Sequence, residues 1–286
     1  MKPRRIKTAL AATALFGLAL TGMAIADPVD DKLVIDGVEI KTTAEAPAHL
    51  DGALPELISG WHFRDTETRA MQADDFDNPG MIFVDRGLDT WNAVDGTEGK
   101  SCASCHEGPE SMAGLRPVIP RVDAETGKLM NIEAYVNNCR TTRMGAEAWN
   151  PKGGDMTDMM ALISLQSRGE LVNVAIDGPA APFYELGKEI YYTRYGQLEL
   201  SCANCHEDNN GNYIRSDHLS QGHTNGFPLY RLKDAGLVTA QGRFVGCVRD
   251  TRAETFAIGS DEFNALELYV ASRGNGLAVE GVGVRH

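Results

Sequence analysis

Beyond residue 26 the sequence has no uninterrupted apolar run of the roughly 18 residues that a membrane-spanning helix needs. It is also short of positive charge: 27 Lys and Arg stand against 40 Asp and Glu, a formal net charge of -13. That balance argues against nucleic acid and anionic membrane as partners, and any anionic substrate must be met by a local basic cluster. A third absence is methionine after residue 206, which leaves the C-terminal part without a thioether ligand for any metal.

What basic charge there is opens the chain. MKPRRIKTALAATALFGLALTGMAIAD carries Lys2, Arg4, Arg5 and Lys7, then an apolar stretch, then Ala24-Ile25-Ala26. This is the pattern of a secretory signal peptide over residues 1–26, with an apolar core too short for an anchor. Arg4-Arg5 raises twin-arginine export, but the residues that follow do not complete that signal, so general secretion into a bacterial periplasm is expected. Losing the leader's four positive charges takes the formal charge from -13 to -17. About 260 residues remain, enough for two small domains.

The six cysteines fall at 102, 105, 139, 202, 205 and 247. Cys102-Ala103-Ser104-Cys105-His106 and Cys202-Ala203-Asn204-Cys205-His206 both read C-x-x-C-H, the pattern of c-type haem attachment. Two thiols one helical turn apart add to the two vinyl groups, and the adjacent histidine turns under the macrocycle as proximal ligand. A redox dithiol or a zinc site would not require the histidine in both copies, and no further zinc ligands follow at the usual spacing. Two covalently bound haem c groups are therefore expected.

The surroundings repeat as well. MIFVDRGLDTWNAVDGTEGKSCASCHE pairs with GKEIYYTRYGQLELSCANCHE, NNCRTTRMGAEAW with GCVRDTRAETFAIG, and DMTDMMALISLQSRG with GSDEFNALELYVASRG. The expected fold is mainly α, with two tandem cytochrome c-type domains related by internal duplication: 76–176, and 177–286 carrying the active-site haem. Residues 27–75 have no counterpart and read as an N-terminal extension packed on the core. Gly169 and Gly274 read as helix stops, and LVNVAIDGPAAPF, 171–183, as the link between the domains.

Cys139 and Cys247 are left over. In an oxidising compartment, counting alone favours a disulfide between them. The duplication favours one cysteine per haem, because each follows its own attachment site at a comparable distance and each leads into an arginine-containing stretch. Other far ligands remain open: Met144, Met156, Met159 and Met160 for the first haem, His218 or His223 for the second. The methionines on the closing helix read better as core, and the two histidines as structural or surface residues. A thiolate ligand would favour ferric iron and a low reduction potential.

These features, with QGHTNGFPLYRL at 221–232 and GRFVGCVRDTRA at 242–253, resemble the SoxA subunit of the SoxAX cytochromes of bacterial thiosulfate oxidation, in its dihaem form. The resemblance implies an L-cysteine S-thiosulfotransferase that joins thiosulfate oxidatively to a cysteine of the carrier protein SoxYZ. Its partners would be a SoxX-type monohaem cytochrome c in a heterodimer and a small cytochrome c that accepts electrons. It implies His206 and Cys247 as ligands of the active haem, with an extra sulfur on Cys247, and Arg243 as the active-site arginine. His106 and Cys139 would be the ligands of the first haem. Arg249, Arg252, Arg231 and Lys233 add positive charge suited to a tetrahedral dianion, with salt bridges to propionates or surface carboxylates as the alternative for Arg249 and Arg252. A dihaem electron carrier without bond chemistry is the competing function; a dihaem peroxidase would need an open iron site that Cys247 would block.

Overall fold

The computed structural model describes residues 32–286, and the leader expected over 1–26 lies outside them. The chain begins with two short hairpins. β1 (Leu33–Ile35) pairs with β2 (Val38–Ile40), and β3 (Thr43–Glu45) pairs with β4 (Glu56–Ile58) with Thr43 opposite Ile58. Helix α1 (Thr66–Ala73) follows, its first turn closed by the Asp65 carboxylate accepting from the Thr68 N–H. Alternating apolar residues turn Leu33, Ile35, Ile40 and Leu57 into the core, where each is at most 1% exposed. Each such side chain contributes about 1.5–3 kcal/mol.

The next part consists of α2 (Met81–Asn92), α3 (Ala103–His106), a small hairpin of β5 (Arg121–Val122) and β6 (Leu129–Met130), α4 (Ile132–Cys139) and α5 (Gly154–Leu165). The last part begins with α6 (Ala181–Tyr192), α7 (Cys202–His206) and a hairpin of β7 (Tyr213–Ile214) and β8 (Asp217–His218). Then come β9 (Leu229–Arg231), β10 (Gly236–Val238), α8 (Ala240–Asp250), α9 (Asp261–Arg273) and β11 (Gly283–Arg285). β9 is the central strand of a three-stranded sheet, antiparallel to β10 and parallel to β11.

The helices start where short polar side chains cap them. Asn131 accepts from Ala134 N–H at α4, Thr239 from Gly242 N–H at α8, and Ser260 from Phe263 N–H at α9. The same crossing occurs in both helical halves. α2 lies across α5 at Gly87, where a Cβ would stand 2.4 Å from the Asp158 carbonyl oxygen; α6 lies across α9 at Gly187, where it would stand 2.1 Å from that of Ala265. Only glycine permits so close a backbone approach. Gly96 and Gly196 repeat the correspondence, with φ of +74° and +67° and virtual Cβ atoms 2.2 Å from the Met144 and Thr251 oxygens. Among the described residues no helix is long and apolar enough to cross a membrane.

Of the two expected glycine stops, Gly274 ends its helix and Gly169 does not. α9 stops at Arg273 with Gly274 as C-cap, but at φ -97° rather than left-handed, while α5 ends at Leu165, four residues before Gly169, in successive tight turns that satisfy its last carbonyls. The segment 171–183 is not a free linker. Val172 N–H donates to Leu277 O at 2.9 Å, Asn275 clasps both backbone groups of Val174, and α6 already begins at Ala181.

The C-terminal tail after α9 is what the first hairpins cover. Trp61 packs with Leu33, Ile35, Ile40 and Ala278, and Leu277 packs with Leu50, Leu54 and Leu57. Within this contact the fully buried Glu280 carboxylate accepts from Ser59, from Gln72 at 2.8 Å, from Arg285 at 2.9 Å and from Asn225 at 3.2 Å. A buried carboxylate so completely paired fixes the register of the tail.

Candidate haem-attachment and thiol site

Both C-x-x-C-H segments form a helical turn, so the two cysteines of each lie three positions apart on one face. In the second, Ser201 and Asn204 cap each other's backbone reciprocally: Asn204 N–H donates to the Ser201 hydroxyl and Ser201 N–H to the Asn204 side chain. In the first, Ser101 N–H donates to the Ser104 hydroxyl at 2.9 Å.

No two of the six cysteines are joined, so no disulfide links Cys139 to Cys247. Cys139, the last residue of α4, lies within electrostatic reach of Cys102 and Cys105; Cys247, on α8, lies within reach of Cys202 and Cys205. Burial pushes the Cys102, Cys139 and Cys205 thiols up, and with Cys247 beside it pushes Cys202 to about 12. Of the alternative ligands, the methionines and His218 are otherwise engaged, and His223 Nε2 lies 2.8 Å from Gln221 Oε1. Met156, Met159 and Met160 are 0%, 1% and 5% exposed in the core beside Val84 and Trp91, and Met144 is buried too. His218 stacks on Tyr213 with centroids 4.4 Å apart and hydrogen-bonds Gly211 O at 2.9 Å.

Arg243 and Cys247 are one turn apart on α8 and share a face. The Cys247 sulfur is the strongest influence holding the Arg243 guanidinium charged, against its burial, and Arg243 in turn acts on Cys205 and His206. Arg243, Cys205, His206 and Cys247 thus form one cluster. The other predicted basic residues are placed elsewhere. Arg249 is exposed on the opposite side of α8, two positions and about 200° from Cys247. Arg252 lies past the helix end at φ +63° and reaches Gln197 at 3.5 Å. Arg231 is held by Asp234 at 2.8 Å and donates to His286 O at 3.2 Å, and Lys233 is exposed. In the first half, Arg140 is buried between Asp95 at 2.7 Å and the Trp149 ring at 3.8 Å, a staple on the turn before Cys102.

The two histidines have unlike settings. The exposed His106 ring has the Trp91 ring 5.9 Å away and makes no hydrogen bond among the described residues. His206 Nδ1 meets Ser220 O at 2.7 Å, and burial pushes its pKa down. Because a carbonyl only accepts, Nδ1 carries the proton and Nε2 is left free for a ligand. Gly222, at φ +78°, lies against the same ring, where a Cβ would come within 2.8 Å. The sequence pattern over 221–232 does not mark Ser220, Gln221 and Gly222 as the support of His206; the one visible signal is Gly222, a glycine 16 residues past the attachment histidine.

These residues fit haem c. Each half offers two thiols on one helical face, an adjacent histidine and a further cysteine thiol. Among the described residues no group of three or more His, Cys, Asp or Glu side chains converges on a metal position. Beside His206, the buried Arg273 pairs with Glu207 at 2.5 Å while its Nη2 has no partner, a donor suited to a propionate oxygen.

Comparison with known proteins agrees. Residues 86–172 match the cytochrome c domain of the SoxA/TsdA family. The chain is 69% identical over 290 residues to the L-cysteine S-thiosulfotransferase subunit SoxA of Paracoccus pantotrophus, covering 99% of this chain and 100% of that protein. It is 55% identical over 279 residues to the same subunit of Rhodovulum sulfidophilum, covering 97% of each. Among solved structures, a chain of SoxXA from P. pantotrophus superposes with a TM-score of 0.88 at 70% identity, over 91% of this chain and 100% of that one.

Proposed function

The chain belongs to the SoxA family of L-cysteine S-thiosulfotransferase subunits, and from that premise we propose that it conjugates thiosulfate oxidatively to a cysteine thiol of a SoxYZ-type carrier protein, with Cys247 as the reacting sulfur and Arg243 as its anion-binding group. The observation that carries the reading is that Arg243 and Cys247 of α8 lie within electrostatic reach of each other and of Cys205 in α7, with Arg243 acting on His206 as well. Its two helical halves are tandem cytochrome c domains related by duplication, each with one covalently bound haem c. His206 and Cys247 would hold the second haem, and His106 and Cys139 the first. The chain works after export to the periplasm, as a heterodimer with a SoxX-type monohaem cytochrome c.

The overall reaction joins a carrier thiol and thiosulfate through a new S–S bond, releasing one proton and two electrons. When bound, haem supplies the exit for those electrons toward a small cytochrome c. The protein's own residues do the rest. Arg243 holds the sulfonate oxygens through its guanidinium fork and offsets the repulsion between a dianion and an acidic protein. Cys247, carrying a further sulfur, bonds to the sulfane end of thiosulfate as the two electrons leave; the carrier thiolate then attacks that sulfane sulfur, takes the group and releases the Cys247 persulfide. Arg249, Arg252, Arg231 and Lys233 contribute to the local field rather than to contacts with substrate.

Peptide mass spectrometry of the exported protein tests the assignment. Haem on both C-x-x-C-H peptides and about 32 Da added at Cys247 are expected. An unmodified Cys247 in a protein that passes electrons between cytochromes without modifying the carrier would leave a plain electron carrier instead.

A further inference from the structure

Residues 217–223 form the loop that supports His206, and the N-terminal segment grips that loop. Gln221 is 2% exposed, and its amide sits along the free edge of β4 like a one-residue strand. Ile58 N–H donates to Gln221 Oε1 at 2.8 Å, and Gln221 Nε2 donates to Glu56 O at 3.0 Å. His223 Nε2 lies 2.8 Å from the same Oε1, so Nε2 carries that ring's proton. Burial, with Arg273 and His206 nearby, drives the His223 pKa down to about 3, and the ring is neutral. Three and four residues before Gln221, Arg64 donates to His218 O and pairs with Asp217 at 3.6 Å.

Gln221 stands between the two residues that touch the histidine: Ser220, whose oxygen takes the Nδ1 proton, and Gly222, whose backbone backs the ring. Among the described residues nothing comparable holds His106. We infer that Gln221 is a positioning residue, through which the N-terminal segment sets the strength of the Ser220 O to His206 Nδ1 hydrogen bond and so the donor strength of His206 toward the iron of the second haem. The inference rests on the functional reading above, in which His206 is the proximal ligand. A firm carbonyl partner raises imidazole basicity and favours ferric iron; a loosened loop weakens it. The N-terminal segment thereby acts on one haem and not the other.

The test is potentiometric titration of the whole heterodimer carrying Gln221→Met, monitored by optical and EPR spectroscopy, after mass spectrometry has counted two haems in wild type and variant. The second-haem midpoint is expected to rise by as much as about 59 mV, a ten-fold change in the one-electron equilibrium. Its low-spin EPR signal should shift while the first haem keeps both its midpoint and its signal. Gln221→Glu, which keeps the acceptor facing Ile58, should fall between wild type and Gln221→Met. Unchanged second-haem midpoint and EPR in a dihaem Gln221→Met protein would overturn the inference. If that variant loses its second haem, Arg64→Met decides: a selective second-haem shift supports the inference, and no shift overturns it. A wild-type protein with a single haem would overturn the underlying reading and this inference with it.

Discussion

The two halves share a helix crossing at Gly87 or Gly187, a turn glycine at 96 or 196 and a C-x-x-C-H turn, yet they finish their histidines differently. His106 stands exposed beside Trp91, whereas His206 is held at Nδ1, backed by Gly222 and braced by residues 56–64 through Gln221 and Arg64. The ligand helices differ in parallel. Four residues before Cys139 comes Tyr135, bonded into the β5 region, and four before Cys247 comes Arg243. On the proposed function, the two halves offer similar attachment geometry, and the extra support around His206 marks the half that does the chemistry.

The sharpest way to break this comparison is to remove each further cysteine in turn. Cys247→Ala should lower the rate of carrier conjugation by at least about 10³-fold, as expected for a reacting group. Cys139→Ala should lower it by less than about ten-fold. Equal losses in a steady-state assay would mean the halves are not specialised.

Next in size is the crossing itself. Gly187→Val and Gly87→Val each force a side chain into a backbone oxygen and should each destabilise by on the order of 3 kcal/mol or more. Comparison of thermal unfolding and haem content checks this; tolerance of one and not the other would show that the crossings are not equivalent. At the ligand helices, Arg243→Ala should cut kcat/KM for thiosulfate by roughly ten- to a hundred-fold, the worth of hydrogen bonds from a charged donor at about 1.5–3 kcal/mol. Tyr135→Phe at the matching position should leave it unchanged.

The smallest effect lies where the halves meet. Glu133 of α4 and Glu267 of α9 are both buried, with Arg116 nearby, and Asn131 and Gln241 donate to Glu267 at 3.1 and 2.8 Å. Burial, aided by Glu267, pushes Glu133 up to about 8, and burial raises Glu267 as well. The folded state thus keeps a proton that the unfolded chain releases above about pH 4.3. Stability should be greatest below that value and fall as pH rises through about 8. Glu133→Gln should remove this slope and gain about 1–3 kcal/mol at pH 8, with little change at pH 4.5, in chemical unfolding across that range. An unaltered slope would place the titrating group elsewhere.

Much of this was legible in sequence because covalent attachment needs a fixed local pattern. Cys102-Ala103-Ser104-Cys105-His106 and its copy carry their geometry within one helical turn, and the absence of methionine after 206 narrowed the far ligand of the second site. The arginines were harder to read. Arg249, Arg252 and Arg231 look alike along the chain, and only helix phase and the partners Gln197 and Asp234 separate them from Arg243. Gln221 was invisible as a support because its partners are 163 and 165 residues away.

By itself, the sequence determined two C-x-x-C-H patterns, each a helical turn, and one further cysteine after each, since these depend on residue type and short spacing. The tertiary structure alone decided which histidine is clamped, which arginine meets the sulfur, and where the N-terminal segment and the C-terminal tail act. Those outcomes depend on buried hydrogen bonds and close backbone approaches between distant segments, which no local pattern encodes.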